Sequence, residues 1–201
     1  MSKIAISVNE VLRDFLTQFI YTYDKYIEPT ELNATDITNF NLIEHFNFSD
    51  KNKLNSFLYL ESPLEIFGHA DQMNDGLMNH FNNLLMMIKD DGDHQIEITS
   101  REIDKSIPST YFFLSKTGCK IDNIRFVQND SDEWGNSDIL ITANPIALEN
   151  KPSGRISVKV KAPYNENVSA DFEIDSILDF IKNEELRNKI LNTTITSYEE
   201  I

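Results

Sequence analysis

Short apolar runs alternate with amphipathic stretches along most of the chain, and this order constrains the fold more than any single motif. KIAI (3–6), HQIEITS (94–100), NIRFV (123–127), DILITA (138–143) and RISVKV (155–160) each read as a buried strand. Between and around them lie helical patterns. In VLRDFLTQFIYTYDKYI (11–27), Val11, Leu12, Phe15, Leu16, Phe19, Ile20 and Tyr23 recur three and four apart, and Pro29 ends the run. Met73 to Ile88 predicts a second helix closed by DDGD, with Gly92 suited to the left-handed position. PSTYFFLSKTG (108–118) has Pro108 in its first turn and Gly118 at its end. DSILDFIKNEELRNKIL (175–191) predicts the closing helix. Residues 30–68 are mixed, with Thr35 or Asp36 and then Ser49 as expected helix caps. Strands alternating with helices predict a mainly parallel sheet covered on both faces.

At 201 residues the chain suits one domain, or one domain plus a small insertion, and 40% hydrophobic residues suffice for a core. The formal charge of −15, without a basic stripe, argues against direct nucleic-acid binding. A single cysteine, Cys119, excludes a disulfide framework and a thiolate metal cluster. The N-terminal apolar stretch breaks at Ser7, too early for a signal peptide, and no window approaches the roughly 18 apolar residues of a membrane span. An intracellular location is expected. Frequent Asn, Ile, Lys and Asp suggest AT-rich coding DNA, as in a low-GC bacterium or its phage.

Open α/β sheets bind ligands at the carboxyl ends of their strands, which singles out Ser7–Glu10, Thr99–Arg101 and Thr142–Pro145. Here the segments KIAISVNEVLRDF, EITSRE and DILITANP, in that order and spacing, resemble the first, second and fourth motifs of the haloacid dehalogenase superfamily. The branch containing 5′(3′)-deoxyribonucleotidases is the most similar, with its DILIDDNP segment and a helical insertion after the first motif. The resemblance implies an α/β three-layer sandwich with a Rossmann-like sheet and a small helical cap. Its core would comprise residues 1–20 and 90–201, and its cap residues 21–89.

The resemblance also implies a phosphoryl-transfer site, and the residues depart from it. In the family's hhhhDxDGVLxDF motif the first Asp attacks phosphorus and the second is the general acid and base; Ser7 and Asn9 stand there. A serine needs a base to become a nucleophile, no His is close in sequence, and an amide cannot shuttle a proton. Glu10 replaces the Gly that curls the loop around phosphate, and would point a negative charge into an anion site. Thr99, or Ser100 beside it, fits the small hydroxyl of the second motif. The fourth motif's paired Asp, which hold Mg²⁺ in the family, are Thr142 and Ala143 here, and Asp138 begins the strand on the side away from the ligand. Lys116 and Lys120 come too early for the third motif's lysine.

NDSDEWGNS (129–137) reads as a solvated acidic loop; Trp134 occupies a ligand position that an EF-hand would need. His45, His69, His80 and His94 form no close ligand pair, and LLMMIK (84–89) reads as core. A non-catalytic protein is therefore expected, with neither catalytic residues nor a metal or other cofactor, and Ser7, Asn9, Glu10, Thr99, Ser100, Thr142 and Ala143 marking a degenerate site. Its partners would be other proteins in a larger assembly, such as a phage particle, rather than nucleic acid or membrane. The aromatics Phe40, Phe46, Phe48, Phe57, Tyr59 and Phe67 are expected to leave an exposed docking patch on the cap. The rival expectations are a phosphatase or nucleotidase with rearranged residues, and a nucleotide sensor without turnover.

Overall fold

The computed structural model describes residues 2–193, apart from the side chain of Asp104. Its centre is a sheet of six parallel strands in the order β3-β2-β1-β4-β5-β6. The strands are β1 (Ser2–Ser7), β2 (His94–Arg101), β3 (Ile124–Val127), β4 (Ile139–Thr142), β5 (Ile156–Val160) and β6 (Phe172–Ile174). All five expected strands are present; β6, three residues long, is too short to show a period in the sequence. Chain order reverses on either side of β1, so the crevice at its carboxyl end lies at the topological switch point.

Alternation along the strands sorts the core into two layers. Ile4 and Ile6 of β1 face a large cluster with Phe81, Phe113, Phe180 and Ile190, which the helices α3 (Leu77–Asp91), α4 (Ile107–Thr117), α6 (Ile177–Lys182) and α7 (Glu184–Leu191) bring to the sheet. Ala5 and Leu140 face the other side, against Trp134 and Ala147. Ala147 belongs to a short helix, α5 (Pro145–Glu149), capped by the Asn144 side chain. Gly92 and Gly118 end α3 and α4 in the left-handed region, as their positions predict.

Four helical expectations need correction. The first helix, α1 (Phe15–Tyr26), starts four residues later than the apolar spacing suggests. Glu10 takes a positive φ of 58°, breaking the helix before it can form, and Val11 and Leu12 turn into the sheet cluster. The closing helix is two, α6 and α7, because Asn183 leaves helical geometry and caps the second through its side chain. In the insertion, Asp50 rather than Ser49 caps α2 (Lys51–Ser56), accepting the Asn52 and Lys53 amides. The short turn at Ala34–Asp36 is led by Asn33, whose amide the Asp36 carboxylate accepts at 2.8 Å.

Packing also divides the chain away from residues 20 and 90. Leu16, Phe19, Ile20 and Tyr23 of α1 join Ile37, Phe46, Phe57 and Phe67 in a separate cap cluster, whereas α3 packs on the sheet. The cap is built from α1, α2 and two π-helical turns, closed by bonds from the Ser62 amide to the Phe57 carbonyl and from the His69 amide to the Leu64 carbonyl. Its aromatics make an interior rather than the expected surface patch. Phe46 is 3% exposed and sits edge-on to Phe19, with ring centroids 4.9 Å apart. Phe57, Tyr59 and Phe67 are buried, and Phe40 and Phe48 half-buried. The borrowed α1 is the physical reason: it supplies the second wall that residues 37–68 lack.

Candidate functional site

Parallel register brings the strand ends together. Ser7 lies opposite Thr99 across β1 and β2, and Ile6 opposite Ile141, which sets Thr142 beside Ser7. Ser7 Oγ lies 2.7 Å from Thr142 Oγ1 and 2.5 Å from Glu133 Oε2. The Thr142 hydroxyl donates to the same carboxyl oxygen at 2.9 Å and accepts the Asn144 amide at 3.0 Å. Asn144 Nδ2 donates to Glu133 Oε1 at 2.8 Å and to Asp130 Oδ1 at 3.0 Å.

Glu133 is thus the centre of the site, and the sequence reading missed it. The acidic stretch expected in solvent folds back as a short 3₁₀ turn, Asp130–Trp134, under the end of β4. Trp134 anchors that turn: it is 2% exposed, and its Nε1 donates to the Ala147 carbonyl at 2.7 Å. A tryptophan inside an acidic run was the available signal. Burial pushes the Glu133 carboxyl above its usual range, while the Asn144, Ser7 and Thr142 hydrogen bonds oppose that shift.

The other expected residues separate into different roles. Asn9 lines the cavity, but its Oδ1 is taken up by Arg13, accepting Nε at 2.9 Å. Ser100 donates to Glu102 Oε1 at 2.8 Å. Both therefore serve a second buried group: Arg13, fully buried, is ion-paired with Glu102, donates to Thr110 Oγ1 at 2.6 Å and to the Phe67 carbonyl at 3.1 Å, and packs against the Phe67 and Phe113 rings. Ala143 is core, and its carbonyl accepts Asn165 Nδ2 at 2.9 Å. Glu10 lines the site, its carboxylate accepting the Leu16 amide at 2.8 Å, and burial raises its pKa to about 7. Asp138 accepts the Lys3 amide at 2.8 Å, at the opposite end of the sheet.

Above the strand ends opens a cavity of about 690 Å³, with Ser7, Thr99, Thr142 and Glu133 on its floor and Phe40, Leu54, Leu58 and Tyr59 of the cap among its walls. Its size falls within the range of roughly 300–1,000 Å³ for small-molecule sites.

The Mg²⁺ that the resemblance implies does not fit these residues. Ser7, Asn9, Thr142 and Ala143, which the resemblance matches to carboxylates, carry hydroxyls, an amide and a methyl. Both oxygens of Glu133 are already engaged by Ser7, Thr142 and Asn144. Among the described residues no group of three or more His, Cys, Asp or Glu is gathered to hold a metal ion. Nor does a lysine reach the strand ends from α4: Lys116 donates to the His69 and Ala70 carbonyls, tying the cap to the core. No helix in the described residues is long and apolar enough to cross a membrane.

No family model and no curated protein sequence matches the chain. Solved structures do. A haloacid dehalogenase-like hydrolase from Bacteroides fragilis is 15% identical with a TM-score of 0.56, covering 88% of this chain and 97% of that one. A haloacid dehalogenase-superfamily hydrolase of subfamily IA from Geobacter sulfurreducens is 11% identical, with a TM-score of 0.53 and coverage of 90% and 98%. A dehalogenase solved with an intermediate is 10% identical, with a TM-score of 0.53 and coverage of 90% and 95%. At such identities the likeness speaks for architecture: the chain has the haloacid dehalogenase-like α/β fold.

Proposed function

We propose that this chain is a pseudoenzyme of the deoxyribonucleotidase-like branch, in which the fold has exchanged phosphoryl transfer for binding. The observation that carries the proposal is the Ser7–Glu133–Thr142 cluster. Phosphoryl transfer depends on positioning and on neutralising the charge of the transferred group. This cluster offers hydroxyls and a buried carboxyl where a nucleophilic carboxylate and a cation would be needed. The neighbours of similar fold are described as hydrolases, and that activity belongs to them. The test is turnover: purified protein with Mg²⁺ hydrolyses neither p-nitrophenyl phosphate nor deoxynucleoside monophosphates above background. Hydrolysis that disappears in Ser7→Ala contradicts the proposal.

One observation favours a second reading. Glu133 Oε2, 2.5 Å from Ser7 Oγ, is placed to take the hydroxyl proton, which is what an activated serine requires. A phosphatase with rearranged residues would show itself in the same assay, and a nucleotide sensor in calorimetry with nucleotides. A place in a larger assembly, including a phage particle, is part of the proposal. With the cap aromatics internal, its docking surface falls to exposed residues such as Leu60 and Leu64. Light scattering after size exclusion measures whether the chain assembles with itself.

A further inference from the structure

Thr99 is the side chain that points to a ligand. It is 1% exposed and lines the cavity floor, and its hydroxyl oxygen has no hydrogen-bond partner among the described residues. A buried hydroxyl left unpaired is unfavourable, and its partner in register, Ser7, is engaged with Glu133 and with Thr142 on the strand beyond. A molecule in the cavity with a polar group at its lower end would supply the missing partner.

The charges around the cavity say what kind of polar group fits. Glu10, Asp130 and Glu133 line it. Of the lining cations, Arg101 is held by Asp130 at 2.8 Å, and Lys51 is solvent-exposed on the cap. Arg13 is consumed by Glu102 and Asn9. An anion would therefore meet carboxyls with no free cation among the described residues of the floor. Glu10 and Glu133 both lack an ion-pair partner among the described residues, but three side chains hydrogen-bond Glu133, whereas the Glu10 carboxyl accepts the Leu16 backbone amide. The left-handed backbone of Glu10 turns its carboxyl back onto that amide, inside the cavity wall, and Tyr164 lies near enough to feel the charge of both Glu10 and Glu133. A buried carboxylate without a partner cation is unfavourable, and an ammonium group beside it removes the penalty. Phe40, Tyr59 and Tyr164 add aromatic surface of the kind that attracts cations.

We infer that the cavity binds a small organic cation, a protonated amine on an aromatic or aliphatic body, with the amine at Glu10 and Thr99 and the body against the cap. The inference rests on the proposed binding role and specifies its ligand class.

Three compounds sharing one body test it: tryptamine, its neutral counterpart tryptophol, and its anionic counterpart indole-3-acetate. Calorimetry on the full chain should give saturable binding of tryptamine, about tenfold or more tighter than tryptophol, as expected of one charge-assisted contact, and weaker still for indole-3-acetate. Glu10→Gln should erase the preference for tryptamine over tryptophol while leaving tryptophol binding in place. Thr99→Val, which keeps the shape of the side chain, should weaken tryptamine with Glu10 intact. Indole-3-acetate binding as tightly as tryptamine, an unchanged preference in Glu10→Gln, or no saturable binding of tryptamine each overturns the cation inference. None of these results bears on turnover, so failure here is distinct from failure of the pseudoenzyme proposal, which phosphatase activity alone decides.

Discussion

Glu102 and Glu133 are buried to nearly the same degree, 1% and 6% exposed, yet the chain accommodates them by opposite means. Glu102, near the end of β2, is matched by a full positive charge from Arg13, with Thr110 and Ser100 completing its hydrogen bonds. Glu133, at the end of β4, has only hydroxyls and an amide. The first arrangement is a strut. It locks the turn after β1 to β2, to α4 and, through the Phe67 carbonyl, to the cap. The second is a polar floor whose central carboxyl is pushed toward its neutral form. Burial alone therefore does not mark a functional carboxyl; its partners do.

The strongest way to break this comparison is to remove the cation. Arg13→Met leaves Glu102 buried without a partner, and should cost about 3–5 kcal/mol in urea unfolding, as broken buried pairs do. Adding Glu102→Gln should recover much of that loss. If Arg13→Met alone is neutral, the pair is not a strut. An apolar control sharpens the contrast. Phe46→Ala in the cap should lower stability by about 3 kcal/mol through the cavity it leaves, measured in the same denaturant series. An unchanged midpoint would show that the cap interior is not packed as described.

A smaller effect comes from the carboxyls that lack cations. Burial carries Glu10 from 4.5 to about 7, so the folded chain keeps a proton that the unfolded chain has released over that range. Stability should fall as pH rises from about 4.5 to about 7 and level off above it, by less than the roughly 3 kcal/mol that the full shift would give, because Glu10 is only half-buried. Glu133 is shifted in the same direction. Glu10→Gln should flatten most of the slope in melts run across this window. A slope that survives the substitution assigns it to Glu133 or elsewhere.

The contrast between these regions also marks what the sequence could reveal. Strands β1 to β5 and the ends of α3 and α4 were legible because their signals are local: apolar runs, Pro108, Gly92 and Gly118. Ser7, Thr99 and Thr142 were legible as a group because strand ends converge in any sheet of this order. Glu133 was not, because its partner Ser7 lies 126 positions away and its own neighbours read as a solvated loop. Arg13 stayed hidden for a related reason. VLRDF has helical spacing, but the chain from Val8 to Arg13 is a turn, with Glu10 in the left-handed region and Arg13 fully buried. The borrowed wall of the cap, α1, likewise depends on tertiary packing that no window of residues 37–68 contains.

The smallest expected effect is also the most direct test. A site that holds a divalent cation in the folded state raises the melting temperature as the cation binds. Here the strand ends present Ser7, Asn9, Thr142 and a Glu133 whose oxygens are already hydrogen-bonded. Thermal melts over a Mg²⁺ titration into the millimolar range should therefore show no saturable shift, in the parent chain and in Glu133→Gln alike. A rise of several degrees that saturates as a single site, and that Glu133→Gln abolishes, would contradict the central claim that this end of the sheet has no place for the metal.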